Sequence, residues 1–237
     1  MLTLAVDAAT IRVGGLVALS TTDFPGRLSA VIFCQGCPWR CAYCHNPHLL
    51  PRHGTREISW QSVVAFLRRR QGLLDAVVFS GGEPTLQAGL SAAIGEVKAM
   101  GYEIGLHTAG IDPQCLRKIL PLVDWVGLDI KAAFDDYAGI TESPMSGRRA
   151  RQSLALLLES GIDYEVRTTV HPHLLPPVKL LNLARELASC GVRQYAVQEH
   201  RATGSAECSV TPAPSYLTPS FCEMLARDFP TFSVRRA

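Results

Sequence analysis

Between residues 30 and 200 the sequence alternates six short β-rich runs with amphipathic stretches, and this alternation restricts the possible folds more than any other feature. The runs are Ala30–Cys34 (AVIFC), Ala76–Ser80 (AVVFS), Glu103–His107 (EIGLH), Trp125–Ile130 (WVGLDI), Tyr164–Val170 (YEVRTTV) and Gln194–Gln198 (QYAVQ). Several are nearly continuous in apolar residues, as parallel strands covered on both faces require. Between them, Trp60, Val63, Val64 and Leu67 recur at i, i+3, i+4 and i+7 behind Ser59, a natural N-cap. Asp112-Pro113 reads as an N-cap followed by an N1 proline. The stripes Leu154/Leu157/Leu158 and Leu180/Leu183/Ala184/Leu187 run into Gly161 and Gly191, both suited to the C′ position.

Six strand–helix units predict an α/β fold with a parallel sheet. The chain shows no Gly-rich dinucleotide fingerprint, and its 237 residues are short for eight units. A partial (β/α)6 TIM-like barrel is therefore expected, with a doubly wound open sheet as the alternative. In either architecture the working groups sit at the C-terminal ends of the strands. The expected organisation is one domain over residues 1–237. Residues 1–29 form a lead-in ending in STTDFPG, and 30–200 hold the repeats. Residues 201–237 add a Pro/Ser/Thr-rich loop, a helix near Ser220–Asp228 and a short strand near Thr231–Val234.

Composition narrows the function classes. A net charge of +2 does not suggest a dedicated nucleic-acid or membrane-surface binder. The clusters Arg68–Arg70, Arg148/Arg149/Arg151 and Arg235/Arg236 are read as a helix end, a solvated face and a chain terminus. No apolar run reaches the length needed to span a bilayer, and MLTLAVDAAT lacks the basic start of a secretory signal. The expected location is the cytoplasm, where clustered cysteines point to metal or redox chemistry rather than disulfides. Four of the eight cysteines fall in CQGCPWRCAYCHNP, directly after the first run; Cys115, Cys190, Cys208 and Cys222 are scattered.

The spacing from Cys34 is C-x2-C-x3-C-x2-C. A four-thiolate zinc site usually separates its two knuckles by a longer insert, and a ferredoxin run has a different order. A third reading uses Cys37, Cys41 and Cys44 alone. Three thiolates on a four-iron cluster leave one iron open to a substrate, and Cys34, inside AVIFC, then serves as core packing. The second run ends in Ser80-Gly81-Gly82-Glu83-Pro84, where two glycines let backbone approach a ligand and offer carbonyls to an ammonium group.

With CPWRCAYC followed one unit later by SGGEP, the chain resembles the radical S-adenosylmethionine superfamily, and most closely its glycyl-radical-enzyme activating proteins. STTDFPGRLSAVIFCQGCPWRCAYCHNP is similar to the signature of the short activating proteins of anaerobic ribonucleoside-triphosphate reductase. The resemblance implies a [4Fe–4S] cluster on Cys37, Cys41 and Cys44, its open iron chelating S-adenosylmethionine. It implies Tyr43 beside the cluster and adenine, and Gly81, Gly82 and Glu83 at the methionine ammonium. It also implies Asp129 near the ribose, Lys131 and Arg167 at the methionine carboxylate, and His200 near the nucleoside. The implied partners are the reductase, whose glycine would lose a hydrogen, and an electron donor such as flavodoxin or ferredoxin. Structural readings stand beside these: a loop cap for Asp129, a solvated strand end for Lys131, an ion pair for Arg167, a surface histidine for His200.

One departure concerns a monovalent cation, which activating proteins often hold with an acidic residue after the third strand. Here that stretch is Leu106-His107-Thr108-Ala109-Gly110, so His107 becomes a hydrogen-bonding wall of the cavity or a neutral bystander. The 201–220 loop is expected to help dock the partner. Competing functions are activation of another glycyl-radical enzyme of the pyruvate formate-lyase type, the same chemistry on a small molecule, and a non-catalytic electron carrier or zinc module.

Overall fold

The computed structural model describes residues 6–201, 210 and 213–236. Its strands form one eight-stranded sheet in the order β1 to β8, each hydrogen-bonded to its neighbours in sequence. They are β1 (Val13–Ser20), β2 (Ser29–Cys34), β3 (Ala76–Gly81), β4 (Glu103–Thr108), β5 (Trp125–Asp129), β6 (Asp163–Val170), β7 (Gln194–Glu199) and β8 (Thr231–Arg235). Strands β2 to β8 are parallel, in register from Ala30 opposite Val77 to Asp129 opposite Arg167. A strictly sequential order has no point where the winding reverses, so the doubly wound alternative is excluded. Strand β8 pairs with β7 rather than β1, leaving a partial, TIM-like barrel.

The lead-in is more ordered than expected. It supplies β1, antiparallel to β2, with register irregularities between Val13 and Gly15 and between Val17 and Ser20. At the other end, β8 extends the parallel sheet.

The helices are α1 (Trp60–Arg68), α2 (Leu90–Ala99), α3 (Pro113–Ile119), α4 (Ala138–Thr141), α5 (Ser146–Ser160), α6 (Pro177–Ser189) and α7 (Pro219–Ala226). Ser59 caps α1 by accepting from the Ser62 N–H, and Asp112 caps α3 through the Gln114 and Cys115 N–H groups. Helix α5 ends at Gly161, whose φ of 71° is the left-handed conformation that glycine adopts at little cost.

Strand periodicity of two splits the side chains between two environments. One set, including Ile32, Phe79, Leu106, Leu128, Val166 and Val197, joins the main core with the apolar stripes of the helices. The opposite face is apolar at one end, where Phe24, Val31, Ala76, Val78 and Trp125 form a separate plug. Towards the C-terminal strand ends the same face turns polar: Ser80, His107, Asp129, Arg167, Thr169 and Gln198. The plug closes the barrel floor and leaves these groups facing an open mouth.

Candidate active site

A cavity of about 300 Å³ lies at that mouth. Six consecutive parallel strands, β2 to β7, each supply at least one residue to it, among them Phe33, Ser80, His107, Asp129, Arg167 and Gln198. The loop after β2 forms another wall with Cys37, Trp39, Cys41, Tyr43, Cys44 and His45. All three cysteines of the C-x3-C-x2-C set therefore face one space.

Backbone hydrogen bonds hold the cysteine loop. Gly36 N–H donates to the Leu49 carbonyl (2.8 Å), Cys37 N–H to Leu50 (3.1 Å), and Arg40 N–H to Thr141 (3.0 Å). The Gly81-Gly82-Glu83 segment is stitched to the same loop, Gly82 N–H donating to Cys34 O (2.8 Å) and Glu83 N–H to Gly36 O (3.0 Å). This contact explains both glycines. Gly81 has φ of 113°, and a Cβ there would lie 2.3 Å from the Cys34 nitrogen; one on Gly82 would lie 2.4 Å from the Gly36 oxygen. Their small size thus serves approach to the cysteine loop, while both still line the cavity.

Cys34 is fully buried in β2, part of the main core, and does not line the cavity. Three of the four thiols thus line the cavity and the fourth lies in the core. Burial pushes the Cys37 thiol up to about 12, with the Glu83 carboxylate adding to it and Lys131 opposing. Cys41 is also raised by burial, and Lys131 again opposes. Without metal these thiols are protonated at neutral pH, so binding a metal releases protons.

Asp129 and Arg167 sit opposite each other on β5 and β6, and Arg167 Nε donates to Asp129 Oδ1 at 2.9 Å. Gly127 makes this possible, because a Cβ there would lie 2.7 Å from the guanidinium carbon. Burial acts to raise the Asp129 carboxyl, but Arg167 and Lys131 outweigh it, so it lies below its ordinary range. The ion-pair reading and the cavity-lining reading of these residues hold together. Lys131 lies with Nζ 5.6 Å from the Tyr43 ring centroid. Burial acts against its charge, and the surrounding Tyr43, Cys41 and Asp129 hold its pKa well above the ordinary lysine value.

His107 is buried and neutral, its pKa pushed down to about 3 by burial and by Arg167. Its Nε2 lies 2.7 Å from the Asp23 carbonyl and 3.2 Å from Arg167 Nη1. A carbonyl can only accept, so Nε2 carries the proton, and the approach of Arg167 is packing rather than a second bond. His107 is thus a hydrogen-bonding wall of the cavity that ties the lead-in loop to β4.

Two expected residues sit differently. The Glu83 side chain is fully buried and points away from the cavity. Its carboxylate accepts from Thr85 N (3.1 Å), Thr85 Oγ1 (2.6 Å), Thr108 Oγ1 (2.5 Å) and Ala109 N (2.9 Å), tying β3 to β4. His200 is not among the residues lining the cavity; its ring stacks on His45, which does line it, with centroids 5.0 Å apart. The proposed docking loop falls largely outside the described residues, at 202–209 and 211–212. Among the lining residues that reading from sequence missed are Asp23, Phe33, Ser80, Thr169 and Gln198. The last four share the inward parity of Asp129 and Arg167, a signal present in the runs themselves.

The donor set suits an iron–sulfur cluster. Three thiols of one eight-residue loop border a common cavity that Lys131 and Arg167 also line, while among the described residues no three His, Cys, Asp or Glu side chains are gathered to share a single metal ion. Tyr43 is buried beside them with a hydroxyl that has no hydrogen-bond partner among the described residues.

The model of the family described as the Radical SAM superfamily matches residues 31–194. A glycyl-radical enzyme activating enzyme of Methanocaldococcus jannaschii is 30% identical over 197 residues, covering 79% of each chain. The pyruvate formate-lyase-activating enzyme of Clostridium pasteurianum is 32% identical over 170 residues, covering 69% of this chain and 70% of its own. Streptococcus suis SuiB bound to S-adenosylmethionine shares the fold with a TM-score of 0.68 at 11% identity. That match covers 86% of this chain and 48% of SuiB, so the chain spans about half the length of that structure.

Proposed function

The chain belongs to the radical S-adenosylmethionine superfamily, among its glycyl-radical-enzyme activating enzymes, and from that premise we propose that it installs a glycyl radical on anaerobic ribonucleoside-triphosphate reductase. Its cofactors are a [4Fe–4S] cluster and S-adenosylmethionine. When bound, they supply a one-electron reductive cleavage whose 5′-deoxyadenosyl product takes a hydrogen atom from carbon.

In this reading Cys37, Cys41 and Cys44 hold the cluster. The observation that carries it is the convergence of these thiols and the six strand ends on one cavity. Gly81 and Gly82, pinned against the cysteine loop, offer backbone carbonyls to the methionine ammonium. Lys131 and Arg167 supply fixed positive charge for the methionine carboxylate, in a partly dry site where such contacts are strong. Asp129, held by Arg167, accepts from a ribose hydroxyl. Tyr43 and the His45–His200 stack provide flat surfaces for the base. For Glu83 the role is indirect, through the placement of Gly81 and Gly82. Neutral His107 adds no charge to the site.

The N-terminal signature supports the reductase as partner; the pyruvate formate-lyase-activating relative supports that lyase as the alternative. The test is anaerobic reconstitution with reductant and S-adenosylmethionine, reading 5′-deoxyadenosine and the electron-spin signal of a glycyl radical on each purified candidate. An intact cluster with no cleavage refutes the chemistry. A signal on the lyase and none on the reductase refutes the choice of partner.

A further inference from the structure

A second groove adjoins the cavity at the cysteine loop. Cys37 and Leu50 line both, so the groove is separated from the site by little more than the Cys37 backbone and side chain. Its walls carry Arg12, Arg40 and Arg52 around the apolar Leu86 and Pro38; Arg12 is ion-paired to Glu57 at 2.5 Å, so the net positive charge of the rim comes from Arg40 and Arg52. Leu86 is 42% exposed, and Arg52 and Pro38 are also exposed. Arg40 Nη1 donates to the Cys37 carbonyl at 3.0 Å, placing one guanidinium directly on the backbone of that cysteine.

The floor is rigid. Gln87 accepts from Arg12 N (3.0 Å) and donates to Gln35 O (2.7 Å), while Gln35 donates to Pro51 O (2.6 Å). A preformed platform with an apolar centre and a net positive rim suits the small, transient interfaces of redox encounters. Its charge favours an acidic partner, which such a rim steers and orients.

We propose that this groove docks an acidic one-electron carrier protein and that electrons enter the cluster through the Cys37 loop. The proposal rests on the function above, whose chemistry consumes one electron per cleavage. In the entry step the carrier's reduced flavin or iron–sulfur centre loses one electron and the cluster gains it, with no bond formed or broken. Cofactor and substrate would use the cavity rather than this groove, so the carrier's access stays open during turnover.

The experiment uses cluster-loaded protein and an acidic flavodoxin reduced to its hydroquinone as probe. Binding is titrated directly, and cluster reduction is followed by absorbance with flavodoxin or with dithionite. Both binding and flavodoxin-driven reduction should weaken as salt rises. In the double variant Arg52→Glu/Leu86→Asp, flavodoxin binding and flavodoxin-driven reduction should fall about tenfold or more at low salt, dithionite-driven reduction changing less than about twofold. Arg52→Ala alone should shift both in the same direction by less. Unchanged flavodoxin binding in the double variant, equal losses with both reductants, or displacement of flavodoxin by the glycyl-radical protein would each overturn the proposal. Reduction that proceeds normally without cleavage of S-adenosylmethionine in the parent protein would instead refute the function and leave the docking result standing.

Discussion

Replacing Glu83 by Gln separates a structural carboxylate from a cofactor ligand. Three donors converge on its Oε1 (Thr85 N, Thr85 Oγ1 and Thr108 Oγ1), and Ala109 N alone meets Oε2. Glutamine does best by keeping its oxygen at the Oε1 position, which turns its NH2 towards the Ala109 N–H. One buried donor then loses its acceptor, at about 1–3 kcal/mol, and the other bonds lose their ionic assistance. Burial raises the Glu83 pKa, with bonds from Thr108, Thr85 and Ala109 opposing, so removing the charge recovers part of the loss. The net expectation is a loss of about 2–3 kcal/mol. For a chain of 237 residues that lowers the midpoint of thermal unfolding by about 4–12 °C. Cluster-free protein unfolded anaerobically under circular dichroism gives this number without any contribution from the site. Glu83→Ala, which orphans both backbone donors, should cost more. A midpoint unchanged within about 2 °C, together with tenfold weaker S-adenosylmethionine binding by Glu83→Gln, would show that the carboxylate faces the cofactor and refute the reasoning.

Three further outcomes are expected. Cys34→Ala should retain iron and sulfide after reconstitution, whereas Ala at Cys37, Cys41 or Cys44 should abolish the cluster's visible absorbance; metal loss from Cys34→Ala would revive a four-thiolate site. Gly81→Ala forces a Cβ against the Cys34 backbone at positive φ, a strain of at least about 2 kcal/mol, and should lower both stability and cluster uptake. His107 stays neutral in the fold down to about 3, while the unfolded histidine titrates near 6.5. Between those pH values the unfolded chain binds the extra proton. This contribution is therefore intact above pH 6.5 and is lost as pH falls towards 3, at up to about 1.4 kcal/mol per pH unit. His107→Asn should flatten that part of the stability profile in urea titrations at stepped pH, and an unchanged slope would mean the ring is protonated in the fold.

The repeats were legible because each β run is apolar enough to be buried on two faces and each helix carries its own punctuation. Ser59 and Asp112 cap where their sequence context places them, and Gly161 ends its helix in the left-handed conformation. Strand β1 was hidden because VGGLVALS carries two glycines and lies partly exposed beside a single neighbour, so neither alternation nor a continuous apolar run marks it. Spacing singled out Cys37, Cys41 and Cys44, and the family resemblance pointed to Asp129 and Arg167; all five line the cavity. Glu83 was harder: its motif says that a carboxylate is present, but only the fold of Thr85, Thr108 and Ala109 around it decides which way it points. The missed cavity residues are ordinary types whose meaning comes from position. Asp23 in particular acts through its main-chain carbonyl, which no side-chain pattern can reveal.

The cysteine loop is held by its own backbone bonds to Leu49, Leu50 and Thr141, and by the Gly82 and Glu83 N–H groups, none of which involves a metal. Zinc fingers, by contrast, unfold when their ion leaves. Bonds of this kind do not need the cluster, so the loop is expected to outlast cluster loss to oxygen, an injury to a replaceable part. A loop built this way should accept a new cluster without refolding. Unchanged far-ultraviolet dichroism through a cycle of oxidative stripping and reassembly is the signature of that economy.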